Sequence, residues 1–171
     1  LQVRLVELDR ITDGDWQQVL AGESEPWGSV GEALQWREKS HNLGLHDNTA
    51  NLVALAGLVF AEIRVADTLL QVAGIGGVIV TRSARGRGFA RVLIERLLQI
   101  AQQLGAERAM LFCAPANIGL YAKFGFQLIE QPVWAAQPGG LIEMPLPAMW
   151  KPLTPAASWP GGRIELLEEP F

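Results

Sequence analysis

The run Val78-Ile79-Val80-Thr81-Arg82-Ser83-Ala84-Arg85-Gly86-Arg87-Gly88-Phe89-Ala90 joins an apolar, β-prone segment to the start of an amphipathic one. Gly86 and Gly88 permit tight turning and leave amide N–H groups uncovered, so an anion can lie against the backbone at the positive end of the helix that follows. Arg82, Arg85, Arg87 and Arg91 surround that turn with positive charge. Glycines, arginines and a helix start coincide here, which points to a phosphate or pyrophosphate site. A nucleotide-hydrolysing loop would need Gly-Lys-Ser/Thr at its end, whereas Gly88 is followed by Phe89 and Ala90. A dinucleotide fingerprint would need three glycines after the first strand of a parallel unit, and this loop is mid-chain with two.

Downstream, Phe89, Leu93, Leu97, Ile100, Ala101 and Leu104 fall on one face of a helix over 89–104, with Arg91, Glu95, Gln99, Gln102 and Gln103 opposite and Gly105 as its cap. Ala109 to Cys113 then predicts a buried strand, Asn117 to Phe124 a helix closed by Gly125, and Phe126 to Glu130 another strand. This alternation predicts an α/β sheet with parallel pairing in this half.

Upstream, Leu52 to Ala56 and Leu58 to Val65 are β-prone runs broken by Gly57. Ala66-Asp67-Thr68 is a turn before the run Leu69 to Val80, giving a meander of antiparallel strands. Gly74, Gly76 and Gly77 interrupt the last strand, as a bulge, a close approach by another molecule or a packing bend would. Gln2 to Leu8 predicts a first strand, and Thr12 or Asp13 caps a helix to about Leu20. A second helix is expected near Val30 to Ser40, and His41 and His46 fall in a loop-like segment. Trp16, Trp27 and Trp36 suit either a lid over a ligand or core packing. After Glu130, prolines and glycines punctuate the chain; one strand, Leu141 to Met144, is expected, then an extended wrapping tail anchored by Trp150, Trp159 and Phe171.

The whole chain, 171 residues, 49% apolar and 19% charged, suits one domain with a sizeable core and excludes a disordered or collagen-like sequence. Its longest apolar run, Leu52 to Ala61, falls short of the ~20 residues of a membrane span. A net charge of −4 disfavours general nucleic-acid binding. One cysteine, Cys113, and no basic-then-apolar leader suggest a cytoplasmic setting. Cys113 lacks a neighbouring histidine for acyl-enzyme chemistry, and His41, His46 and Asp47 lack a further ligand, so no metal is expected.

Arg85-Gly86-Arg87-Gly88-Phe89-Ala90 matches the pattern Gln/Arg-x-x-Gly-x-Gly/Ala, and Asn117-Ile118-Gly119-Leu120-Tyr121-Ala122-Lys123-Phe124-Gly125-Phe126 is similar to Asn-x-x-x-x-Tyr-x-x-x-Gly-Phe. In these two motifs, the second only similar because three residues and not four separate Asn117 from Tyr121, the chain resembles over about Asn51 to Glu130 the GCN5-related N-acetyltransferase (GNAT) superfamily. The resemblance implies a GNAT-like α/β (α+β) fold: a mixed sheet, antiparallel in its N-terminal half, with splayed parallel strands at a cofactor cleft and flanking helices. It implies a single acetyltransferase domain, 1–171, with a strand and lid helices over 1–50, a cofactor-binding core over 51–130 and a Pro/Gly-rich strand and tail over 131–171. Acetyl-CoA is the implied co-substrate, held by the backbone of Val78, Ile79 and Val80, by Arg85, Gly86, Arg87, Gly88, Phe89 and Ala90 at the pyrophosphate, and by Asn117. Tyr121, the only tyrosine, is the position carried over as general acid.

Several relatives carry a glutamate on the cofactor-binding strand where this chain has Gly76, which leaves Glu130, Glu143, Asp47, His41 or water as candidates for the base. The tail bears a faint similarity to aminoglycoside 2'-N-acetyltransferases, in Gly140 to Pro147, Trp159-Pro160-Gly161-Gly162 and Pro170-Phe171. There the acidic pair Glu168 and Glu169 is a candidate ammonium site. The implied reaction is acetyl transfer to a primary amine of a small molecule. The alternatives are an inactive acetyl-CoA-binding sensor or partner-binding module and a protein or peptide N-acetyltransferase. No nucleic-acid or membrane partner is expected, and a homodimer through the tail strands is compatible with the sequence.

Overall fold

Residues 52 to 65 form one strand rather than two, and the sheet is built on its edges. The computed structural model describes residues 2–171. This strand, β3 (Leu52–Val65), takes β2 (His41–His46) and β10 (Ile164–Leu166) on one edge, antiparallel in both cases, and β4 (Thr68–Val80) on the other. β1 (Arg4–Leu8) extends the sheet beyond β2. Gly57 does not break β3; it faces Gly76 of β4. The turn at 66–67 has Ala66 at φ +51, as a two-residue hairpin connection demands.

Beyond β4 the order runs β5 (Arg108–Phe112), β9 (Ala148–Pro152) and β6 (Gln127–Leu128); beyond β10 it runs β7 (Val133–Gln137) and β8 (Gly140–Glu143). The β4–β5 pair is parallel, as expected, but β6 does not continue it, because β9 lies between β5 and β6 and is antiparallel to both. The tail therefore contributes four strands where one was expected, at 141–144. β7 and β8 form a hairpin, and β10 is parallel to β7. Their pairing is with partners far away in sequence, and the prolines that suggested an unpaired tail include Pro147 and Pro152, which sit at or next to the ends of β9.

Helix α1 (Asp13–Leu20) is capped as the sequence predicts: the Thr12 hydroxyl accepts from the Asp15 N–H and the Asp15 carboxylate accepts from the Thr12 N–H. Helix α2 (Gly28–Glu32) is much shorter than the 30–40 expected. The N–H groups that would have continued it are used elsewhere: Gln35 donates to Gln137 Oε1 (2.9 Å), Arg37 to the Pro170 carbonyl (2.7 Å) and Ser40 to the Leu58 carbonyl (2.9 Å). Residues 41–46, expected to be loop-like, form β2 with Leu43 and Leu45 fully buried. Helix α3 (Phe89–Gln103) puts Phe89, Leu93, Ile94, Leu97 and Ala101 into the core against β2, β3 and β4. α4 (Ile118–Ala122) follows a short 3-10 turn, Pro115–Asn117. A second core on the other side gathers Ile63, Val65 and Val72 with the tail residues Ala135, Ile164 and Phe171. No helix among the described residues is long and apolar enough to cross a membrane.

Candidate active site

Two strands that start together and separate make the cleft. β4 and β5 are paired at Ala73↔Ala109, Gly74↔Met110 and Ile75↔Leu111, and the pairing stops there although β4 runs on to Val80. The departure coincides with a bulge: Leu55 faces Ile79 and Gly57 faces Gly76, so β4 carries an extra residue, and Gly77 takes φ +62. That conformation is strained for residues with a side chain and common for glycine. Into the gap opens a cavity of about 980 Å³. Its walls include Gly76, Gly77 and Val78 of β4, Cys113 just after β5, and Asn117 and Tyr121 of the segment that follows.

The other two glycines of β4 have packing reasons. A Cβ on Gly74 would fall within the Phe171 ring, and one on Gly76 would come 2.6 Å from the Phe171 carbonyl carbon. The tail thus closes one side of the cavity, and Phe171 is 2% exposed. Trp16, Trp27 and Trp36 all reach the cavity wall. They are also packed: Trp27 meets Trp16 edge-on at 5.6 Å and donates from Nε1 to the Val78 carbonyl (3.1 Å), while Trp36 meets Phe112 at 6.2 Å. The packing reading of these tryptophans therefore holds, and all three also line the cavity.

At the open end, Gly86 and Gly88 have φ +77 and +80, and a Cβ on either would meet nothing within 4 Å. Gly88 is the N-cap of α3 and supplies no side chain to its first N–H groups, which leaves that helix end suited to an anion. Of the four arginines, Arg85 donates from Nε to the Val80 carbonyl (3.0 Å) and pairs with Glu23, and Arg82 also reaches Glu23 (3.5 Å). The hydrogen bond from Arg85 holds the Glu23 carboxyl below its ordinary range. Arg91 pairs with Glu95 and lies over the Phe124 ring. Arg87 has no ion pair among the described residues.

Tyr121 is 7% exposed, with its ring edge-on to Phe126 at 6.1 Å. Burial, and secondarily the Cys113 thiol, push its pKa well above that of an ordinary phenol, so it holds its proton. Burial likewise pushes the Cys113 thiol up to about 11. Cys113 has Met149 Sδ at 3.9 Å and no histidine on the cavity wall, which agrees with a packing role.

None of Glu130, Glu143, Asp47 and His41 lies on the cavity wall. Asp47 is engaged by Thr49 and Asn51, and His41 and His46 stand at opposite ends of β2. The acidic pair of the tail is also outside it: Glu168 is bound to Arg37 at 2.8 Å. The residues that sequence reasoning missed are Lys39, Arg37 and Asp13 on the wall itself. Asp13 opens α1 and is marked only as a cap, while no local pattern marks Arg37 and Lys39, which come from the loop after α2 that contacts with the tail and β3 hold in place.

The Acetyltransferase (GNAT) family model matches residues 7–126. The chain belongs to this family. Among solved structures, the GNAT family N-acetyltransferase YhbS of Escherichia coli, in complex with CoA, superposes with a TM-score of 0.67 at 20% identity, covering 97% of this chain and 90% of that one. The ribosomal-protein-S18-alanine N-acetyltransferase of Escherichia coli gives 0.61 at 19% identity, with 92% and 97% covered. These likenesses show that the GNAT fold, with its mixed sheet and flanking helices, is the fold of this chain. Among curated proteins, the glucosamine 6-phosphate N-acetyltransferase of Candida albicans is 28% identical over 47% of this chain and 54% of its own length. A glucosamine 6-phosphate N-acetyltransferase of Oryza sativa subsp. japonica is 32% identical over 47% of this chain and 48% of its own length. This GNAT chain thus spans about half the length of the curated relatives it matches.

Proposed function

We propose that the protein transfers an acetyl group from acetyl-CoA to a primary amine of a small molecule, by direct attack and with Tyr121 as general acid. The observation that carries this reading is the opening between β4 and β5, with an uncapped helix end at Gly88 beyond it and Asn117 and Tyr121 on its wall, in a chain of the GNAT family. The residues fit the co-substrate. Gly86, Arg87, Gly88, Phe89 and Ala90 would hold its pyrophosphate, with Arg85 fixing the loop to Val80 and Glu23. The stretch Val78, Ile79 and Val80, where β4 runs on beyond its pairing with β5, would line its arm, and Asn117 would contact it from the turn after β5.

When bound, acetyl-CoA supplies an activated acyl group with a thiolate as leaving group. Tyr121 holds a proton throughout the neutral range and delivers it as the thiolate departs; burial makes it a weaker acid than a thiol, so placement and not intrinsic acidity decides efficiency. The three tryptophans and Phe171 exclude water around the acceptor. The names of the curated relatives make glucosamine 6-phosphate the first amine to try.

The test is a thermal-melt shift with acetyl-CoA, CoA and ATP side by side, followed by thiol release with a panel of amines. A ligand at ~100 times its Kd adds about 2.7 kcal/mol to the folded state. A shift with both CoA species and none with ATP is expected. A second reading, acetyl-CoA binding without turnover, is favoured by the lack of a carboxylate at Gly76; it predicts the same shift and no thiol release with any amine.

A further inference from the structure

Gly57 and Gly76 face each other across β3 and β4, and together they form a trough. A Cβ on Gly57 would fall into the Lys39 stem, 2.6 Å from its Cβ, and a Cβ on Gly76 would come 3.0 Å from its Cε. The two missing side chains make room for the lysine stem, which runs from Gly57 to Gly76 on the cavity wall. There Nζ donates to the Arg37 carbonyl at 2.7 Å. No carboxylate pairs with it among the described residues, and Arg37 itself is turned to Glu168. The other charged or titratable groups on the cavity wall are Arg10 before α1 and Asp13 at its start, Arg37 and Glu38 beside the lysine, Cys113 after β5, Tyr121 on α4 and the carboxyl of Phe171, whose carbon borders Gly76 on the same side as the Lys39 Cε; β2, β3 and β4 contribute no charged side chain.

We infer that Lys39 accepts the proton of the attacking amine, standing over Gly76 where the sheet offers no carboxylate. The inference rests on the acetyl-transfer reading above. The acceptor enters as R–NH3+; one N–H bond breaks, its proton goes to the lone pair of neutral Lys39 Nζ, and R–NH2 and a Lys39 ammonium result. The free amine then forms the new N–C bond as the C–S bond breaks, Tyr121 protonates the thiolate, the second N–H proton of the acylated nitrogen passes to the tyrosinate and restores Tyr121, and the Lys39 proton passes to solvent. A neutral amine can keep its hydrogen bond to the Arg37 carbonyl with one N–H while its lone pair takes the new proton. Burial, and secondarily the Arg37 charge, lower the Lys39 pKa to about 8, so a useful fraction is neutral near pH 7. Two ammonium groups in one desolvated cavity repel, so the pair of amines is held to a single positive charge.

Two measurements test this. Competitive labelling with acetic anhydride across about pH 6 to 11, read by peptide mass spectrometry, reports Lys39, Lys123 and Lys151 together without any acceptor. Lys39 is expected to titrate near 8, below the ordinary lysine range of ~10.4; an ordinary value for Lys39 overturns the inference. With the amine that gives thiol release, Lys39→Arg keeps the charge and removes the acceptor. Its kcat is expected to fall by about 100-fold, with the limb of the pH profile near 8 lost and the acetyl-CoA KM retained. Lys39→Met, which fits the trough, should fall as far. Wild-type kcat and an unchanged profile in either variant overturn the assignment. A failure of acetyl-CoA to shift the melt removes the parent reading instead, and this assignment with it.

Discussion

The ring of Phe171 occupies the space that a side chain on Gly74 would need. It sits 5.5 Å from the Phe112 ring, in the core that joins the tail to the cavity wall. Gly74→Ala should therefore displace the end of the tail and not merely crowd the strand. The expected loss is about 2 to 4 kcal/mol in denaturant unfolding, the range for losing a buried aromatic contact. Limited proteolysis after Leu167 should accelerate in the same variant. Unaltered stability would mean that the ring can move aside without cost.

Gly88 stands at φ +80 as the N-cap of α3, with open space where a Cβ would point. A valine there meets no clash inside the protein, but it is strained in the left-handed region and its branches would cover the helix end. Gly88→Val should cost a few kcal/mol of stability and abolish the melt shift with CoA. A folded variant that binds CoA as tightly as the parent would move the pyrophosphate away from this loop.

Elements that announce themselves through local periodicity were legible: α3 through its apolar face, α1 through the cap candidates Thr12 and Asp13, and the β3–β4 meander through its apolar runs. The turn at Gly86 and Gly88 was legible for the same reason, since the glycines that take its positive φ and the helix start it precedes lie within a few residues. β9 and β10 were not, because each is a strand only by inserting beside a partner far away in sequence, β9 between β5 and β6 and β10 between β3 and β7. Helix α2 was overextended because the N–H groups of Gln35 and Arg37 are taken by Gln137 and the tail, which no local pattern records. The same non-local placement hid Lys39: a lysine in a loop and two glycines in different strands carry meaning only once Gly57 and Gly76 are opposite each other.

Tyr121 reaches the cavity from a segment that also carries Asn117, and its raised pKa keeps it protonated. Tyr121→Phe removes the donor and keeps the ring against Phe126. Turnover should fall roughly 10- to 1,000-fold while acetyl-CoA affinity, measured by calorimetry, stays within about twofold. Equal turnover in the two proteins would exclude Tyr121 as the acid.

Lys39 links the site to stability in a direction opposite to a paired surface lysine. Its folded pKa, about 8, lies below the 10.5 of an unfolded lysine. Well below pH 8 the residue is protonated in both states, and the whole cost of a buried charge bears on the native state. Between about 8 and 10.5 the unfolded chain binds more protons, so stability rises with pH across that window and the cost is gone above it. The full effect is on the order of 3 kcal/mol. Lys39→Met fills the same trough without a charge, at the loss of one hydrogen bond to Arg37 worth about 1 kcal/mol. Urea unfolding should therefore find the variant more stable than the parent by about 1 to 2 kcal/mol at pH 7, with the advantage shrinking as pH approaches 10. A constant difference at both pH values would mean that Lys39 titrates as it does in water.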